Sequence, residues 1–281
     1  MIQFPQMACI AMYALFRLYF LLLPLTMPAP QEILNDLVAM SRRLADPALD
    51  YVILGEGNTS AVVDANTFYV KASGVSLRDI GEQGFVRVRR APILELLERP
   101  SVTDDEVRDG MLAARVDTLS PIRPSVETLF HAYLLSLPGV SFVGHTHPTP
   151  VNAILCSQKA EEAVSGRLFP DEIVCCGPAP CFVPYVDPGQ PLSRAMRDCV
   201  EAYIDEHNTA PRVILMQNHG FIALGRSPEQ VESATAMFVK TARILLGTYA
   251  LGGPNFLTPE NVNRIYTRPD EKYREKQIGV G

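Results

Sequence analysis

The stretch VSFVGHTHP, residues 140–148, constrains this chain more than any other segment. Pro138-Gly139 stands in front of it and Pro148 and Pro150 open a helical pattern behind it, so the apolar run between them reads as a buried strand. A buried strand obliges the chain to build sheet neighbours and covering layers around it. The run ends in His145-Thr146-His147, and the two-residue period of a strand turns both imidazoles to the same side. A second pair of apolar runs, RVILMQNHGFIALG, carries His219 at its centre. Gly220 follows, where the missing Cβ lets backbone or a ligand approach closely. Three neutral imidazoles with an open coordination position suit a catalytic divalent ion, most commonly zinc. Alternatively each histidine is simply a hydrogen-bonded, half-buried residue, and the spacing of His145 and His147 leaves the two readings level.

A catalytic ion also calls for a base near the substrate and often a fourth ligand. Glu127 is the candidate. It lies early in an otherwise apolar helix expected over residues 125–137, just before the histidine strand, with His131 one turn further on. Taken locally, a first-turn glutamate favoured by the helix dipole is the simpler account. His131 reads as core or as a residue supporting the ligands, and His207 as surface. Glycine-rich GEGNTS (residues 55–60) and KASG (residues 71–74) read as tight turns that could also present N–H groups and hydroxyls to an anion.

Helical periodicity is expected over residues 31–45, 92–97, 104–114, 192–206 and Pro228–Tyr249, the last being the longest. Short strands are expected at 50–54, 60–63 and 67–72, separated by GEGN and DAN as an antiparallel meander, and further strands at 172–176 and 181–184. Mixed elements without a regular βαβ rhythm suggest one α/β domain on a largely antiparallel sheet. The tail RIYTRPDEKYREK is highly charged and reads as peripheral.

Residues 1–30 form an apolar leader, separate from a domain over residues 31–281. The first 31 residues hold Arg17 as their only charge, although the chain has 56 charged side chains. Residues 7–25 are long enough to span a bilayer, with Arg17 at the middle. Three readings compete: translation starting at Met27, which runs directly into an amphipathic helix, a membrane anchor, and a secretory signal, which would want a basic start. The formal net charge of −6 argues against a broad nucleic-acid surface. The six cysteines show no CxxC pair or disulfide frame and read as buried thiols in a reducing compartment, hence a cytoplasmic protein unless the leader anchors it.

The ordered set GEGNTS, KASG, PSVE, HTHP and NHG, over residues 55–220, resembles the class II aldolase/adducin family. The resemblance implies a three-layer α/β/α sandwich around a mainly antiparallel sheet, and a homotetramer with active sites between subunits. It implies that His145, His147, His219 and Glu127 bind a divalent metal, with zinc expected and manganese or cobalt as alternatives. Glu127 would also act as the catalytic acid/base. Asn58, Ser73, Gly74 and Ser125 fall on substrate-binding positions that hold phosphate in the sugar-phosphate aldolases. Those enzymes carry two serines before the acid, where this chain has Ser125-Val126-Glu127. No tyrosine follows Gly166 at the place of the fuculose-phosphate enzymes' proton donor. Phe169 is nearest, and Tyr185, Tyr266 and Tyr273 remain as candidate acids. The implied activity is a metal-dependent lyase acting on a small hydroxy-carbonyl substrate through a metal-stabilised enediolate. Epimerase, dehydratase or decarboxylase chemistry on the same site is the alternative, as is a non-enzymatic interaction protein like adducin.

Overall fold

A computed structural model describes residues 28–277 and Gly279. Apart from residues 28–30, the leader and its three readings lie outside the described residues, as does Cys9. Among the described residues no helix is long and apolar enough to cross a membrane.

Seven strands form one sheet: β1 Asn58–Val62, β2 Thr67–Lys71, β3 Phe85–Arg89, β4 Phe142–Thr146, β5 Cys181–Val183, β6 Val213–Met216 and β7 Gly220–Gly225. Their order is β3-β2-β1-β4-β7-β6-β5, so β4 lies at the centre. Every neighbouring pair is antiparallel except β5 with β6. The helices are α1 Pro30–Leu44, α2 Arg90–Glu98, α3 Asp104–Ala113, α4 Thr128–Leu134, α5 Thr149–Leu155, α6 Ala160–Ala163, α7 Pro170–Cys176, α8 Gln190–His207, α9 Pro228–Tyr249, α10 Pro259–Thr267 and α11 Pro269–Gln277.

The two-residue period of the strands divides the interior into two cores. On β6, Val213 and Leu215 face one core and Ile214 and Met216 the other; on β7, Phe221 and Ala223 oppose Ile222 and Leu224 in the same way. The first core is closed by α1, α5, α7 and α9, the second by α2, α3, α4 and α8. This is the α/β/α sandwich expected from the sequence. At Gly144, midway along β4, a Cβ would lie 2.6 Å from Val231 of α9 and 3.1 Å from Leu44 of α1, so only glycine lets both helices press onto the central strand.

Two expected strands are corrected. Residues 172–176 belong to the helix α7, which Pro170 opens, with Asp171 and Glu172 in the first turn and Ile173 and Cys176 buried on one side. Residues 50–54 form an irregular loop because Asp50 and Leu54 have positive φ, 57° and 51°, which an extended strand does not tolerate. The meander instead takes its third strand from β3, whose Phe85, Val86 and Val88 are buried. The helix expected over residues 125–137 is regular only across α4, and the charged tail folds into α10 and α11. Cys175, Cys176 and Cys181 are buried free thiols, whereas Cys156 is exposed.

Candidate metal centre

The site forms where the centre of the sheet meets three loops. Antiparallel pairing sets His145 of β4 opposite Asn58 of β1 on one side and Ile222 of β7 on the other. His147 follows the end of β4, its N–H held by the Tyr51 carbonyl at 2.8 Å. His219 stands in the β6–β7 turn after Asn218, whose φ is 55°. That turn is fastened to α5: the Asn218 N–H donates to the Leu155 carbonyl at 3.1 Å, and the Asn152 amide to the His219 carbonyl at 3.1 Å. The turn closes only around glycine. A Cβ on Gly220 would meet His147 Cδ2 at 2.5 Å, the Thr146 carbonyl at 2.9 Å and His145 Cε1 at 3.0 Å.

Each of the three imidazoles offers one ligand atom, all within 4.8 Å of one another. Ring centroids lie 4.7 Å apart for His145 and His147, 5.1 Å for His145 and His219, and 5.4 Å for His147 and His219. His145 Nδ1 is 3.0 Å from the Phe221 carbonyl, which only accepts, so Nδ1 carries the proton and Nε2 faces the site as a lone pair. His147 Nδ1 faces the Glu56 carboxylate at 3.2 Å with the same consequence. The two Nε2 atoms are 3.0 Å apart. Lone pairs brought together this way repel unless they share a cation, so the donor set fits a divalent metal. Burial grades across the cluster, from 1% side-chain exposure at His145 to 19% at His147 and 18% at His219, so the site opens on the side of the last two.

Glu127 joins the imidazoles. Its Oε1 lies 3.2 Å from His219 Nε2 and its Oε2 3.5 Å from His145 Nε2. Burial works against ionisation of this carboxyl, but the facing His145 and His219 and the Asn58 amide outweigh it and hold the group well below the usual carboxylate range. Burial pushes His145 down to about 3 against the pull of Glu127, and lowers His147 against Glu56. Burial thus favours the neutral form of His145 and His147, the form in which an imidazole can bind metal.

Asn58 and Ser125 belong to the same cluster. The Asn58 amide donates to Ser125 Oγ at 3.2 Å and to Glu127 Oε2, and its carbonyl oxygen meets His131 Nε2. His131, wholly buried and pushed down to about 4 by burial, is fixed from behind by Ser60 Oγ at 2.6 Å. It therefore orients Asn58. Ser73 and Gly74, exposed in the loop after β2, lie beside Ser125, because the Ser125 N–H donates to the Lys71 carbonyl at 3.0 Å and the Ser73 N–H to Arg123 at 2.9 Å. Ser73 and the exposed Val126 line a cavity of about 450 Å³ with Arg123 and α3.

The candidate tyrosines scatter. Tyr185 is exposed after β5, its N–H donating to the side chain of Gln217, two residues before His219, while its hydroxyl donates to Asp187 at 3.1 Å. Tyr266 lines a different cavity with Arg212, Arg226 and Gly139, at the opposite end of β4, beneath the Lys272 ammonium. Tyr273 is exposed on α11. Neither Tyr266 nor Tyr273 is brought to the histidines of its own chain. Phe169 lies under Lys240 of α9. Sequence reasoning missed Glu56 and Asn152, whose contacts lie 91 and 67 residues away along the chain, with no local signal to reveal them.

The profile of the class II aldolase and adducin N-terminal domain matches residues 35–246, and the chain belongs to this family. A Bacillus subtilis (strain 168) protein named Uncharacterized oxidoreductase YuxG is 28% identical over 196 residues, covering 67% of this chain and 26% of that protein. This chain thus spans about a quarter of that relative's length. Among solved structures, an L-fuculose 1-phosphate aldolase superposes with a TM-score of 0.64 at 15% identity, covering 89% of this chain and 99% of the other. The N-terminal class II aldolase domain of a protein from Thermoplasma acidophilum superposes with a TM-score of 0.61 at 24% identity, covering 76% and 93%. These two likenesses show a shared fold.

Proposed function

We propose that the protein is a metal-dependent lyase of the class II aldolase type, cleaving or forming a carbon–carbon bond in a small hydroxy-carbonyl compound. The observation that carries the reading is the convergence of Glu127 with His145, His147 and His219 at one half-open point. His145, His147 and His219 would hold the ion, most plainly zinc, with Glu127 as the fourth ligand in the resting site. When bound, the ion supplies a Lewis acid that offsets the negative charge developing beside the substrate carbonyl.

Glu127 is the proton carrier. Its carboxylate would take or return the proton at the carbon next to the carbonyl, while the hydroxyl proton on the carbon that becomes the aldehyde is exchanged with solvent. The Asn58 amide, locked by His131, keeps that carboxylate aimed at the site. Asn58, Ser73, Gly74 and Ser125 would hold the far end of the substrate. With Val126 exposed beside Ser125, this end is poorer in hydroxyls than the phosphate position of the sugar-phosphate aldolases, which supports an unphosphorylated substrate. The exposed apolar side chains of Val116, Leu119 and Val126 would be covered by other subunits in a homotetramer. The free thiols support a cytoplasmic setting.

Elemental analysis of the purified full chain tests the reading. About one divalent ion per chain is expected, and it should be absent from the His145→Ala/His147→Ala variant. Glu127→Gln should lower kcat by about 10²- to 10⁴-fold on a responsive hydroxy-carbonyl substrate. Product analysis separates bond cleavage from epimerisation, dehydration and decarboxylation. A chain that takes up no zinc, manganese or cobalt would instead favour the non-enzymatic role of an adducin-like interaction protein.

A further inference from the structure

The two strand histidines are oriented by different means. His145 is held through the backbone carbonyl of Phe221, which belongs to the sheet. His147 is held through a side chain, the Glu56 carboxylate at 3.2 Å. Among the described residues, Glu56 and Glu127 are the carboxylates within ion-pair distance of this cluster, and Glu56 reaches it from outside, on the nitrogen turned away from the other imidazoles.

Glu56 is not a loosely tethered surface glutamate. Its Oε1 accepts the Ile53 N–H at 2.7 Å while its own N–H donates to the Ile53 carbonyl at 3.2 Å, so the side chain is folded back over a closed turn. The residues on either side are also fastened. The buried ammonium of Lys71 donates to the Gly55 carbonyl at 3.1 Å and to the Val75 carbonyl at 2.6 Å. Gly57, at φ +69°, runs so close to β4 that a Cβ would lie 2.7 Å from the His145 carbonyl. Glu56 is thus clamped between a lysine that ties two glycine-rich loops and the strand that bears the ligands.

We propose that Glu56 is a positioning residue for the metal. Its carboxylate keeps the proton on His147 Nδ1, fixes the ring plane and makes Nε2 a stronger donor to a divalent ion. The proposal rests on the metal reading above and adds a residue that touches neither ion nor substrate. It also gives the GEGN turn a role besides substrate contact: the turn sets the affinity of one ligand on β4.

The test uses the full chain stripped of metal by chelator dialysis. Zinc affinity is read by competition with a chromophoric chelator, and the His147 tautomer by nitrogen chemical shifts of the imidazole in the metal-free protein. Glu56→Ala should weaken zinc binding by about 10- to 100-fold and move His147 from a single Nδ1–H tautomer to a mixture. Glu56→Gln retains an acceptor oxygen and should recover the wild-type tautomer and part of the affinity. A merely structural role for Glu56 would leave the tautomer unmoved. Wild-type protein that binds zinc while Glu56→Ala binds it equally well, with an unchanged tautomer, would overturn this proposal alone. Wild-type protein that takes up no zinc would overturn the metal reading and this proposal with it.

Discussion

Two buried carboxylates of this protein sit in opposite kinds of surroundings. Glu172, on α7, is sealed with Arg167, each side chain 1% exposed, and every group there is partnered. The Arg167 guanidinium donates to Glu172 at 2.9 Å and to the carbonyls of Gly177 and Cys176 at 3.0 and 2.9 Å, while the remaining Glu172 oxygen accepts the Leu168 N–H at 2.8 Å. Glu127 instead faces imidazoles whose nitrogens crowd one another and whose outer members remain partly exposed. One network is closed and ties a loop to a helix; the other converges on a point and leaves room for a ligand. Burial of charge does not by itself mark a functional site. What marks it is a donor set whose own members cannot satisfy it.

The comparison breaks if the two networks are interchangeable. Arg167→Ala leaves Glu172 buried and unpaired, and should cost about 3–5 kcal/mol in urea denaturation while the metal content per folded chain stays unchanged. Loss of metal in that variant would show that the two regions are not independent. Replacing the pair together, Arg167→Met with Glu172→Leu, should restore most of the stability, because a closed pair can be exchanged for apolar packing.

Acid sharpens the contrast. His131 is held neutral down to about pH 4 in the folded chain, whereas an unfolded imidazole protonates near 6.5. Between these values the unfolded chain binds more protons, so stability is full above about 6.5 and falls as pH drops. The loss reaches about 3 kcal/mol near pH 4. Metal-free protein unfolded with urea between pH 7 and 4 should lose stability as pH falls, and His131→Phe should make that slope shallower, leaving the share of the buried His145 and His147. The smallest effect is expected at Gly220→Ala, where the added methyl abuts His147 and the Thr146 carbonyl. About 1–3 kcal/mol of strain should appear, together with weaker zinc binding measured by chelator competition.

Sequence reading reached the parts of the site that share a strand or a turn. His145 and His147 are legible because their spacing matches the pleat, and α9 because its apolar stripe runs unbroken from Pro228 to Tyr249. The mixture of helices and short strands makes an α/β domain on a largely antiparallel sheet legible, and the layered sandwich is what the family resemblance adds. Segment 172–176 misleads because an apolar run this short has no decisive period, and the helix is settled by Pro170 and by the buried Arg167 that Glu172 meets. Glu56 and Asn152 stay hidden because their roles exist only after distant segments are paired. Tyr266 and Tyr273 carry suitable chemistry, yet the tail that bears them packs away from the histidines, beside α7 and the far end of β4.

Gly144 carries a consequence for how the strand finds its place. A shift of β4 by one residue would exchange its two faces, sending His145 toward α9 and α1. Val231 and Leu44 already crowd that position so closely that a methyl does not fit. Two helices on the face away from the His145 side chain therefore proofread the alignment of the strand, and the chemistry of the site is secured by steric rejection on the opposite side of the sheet.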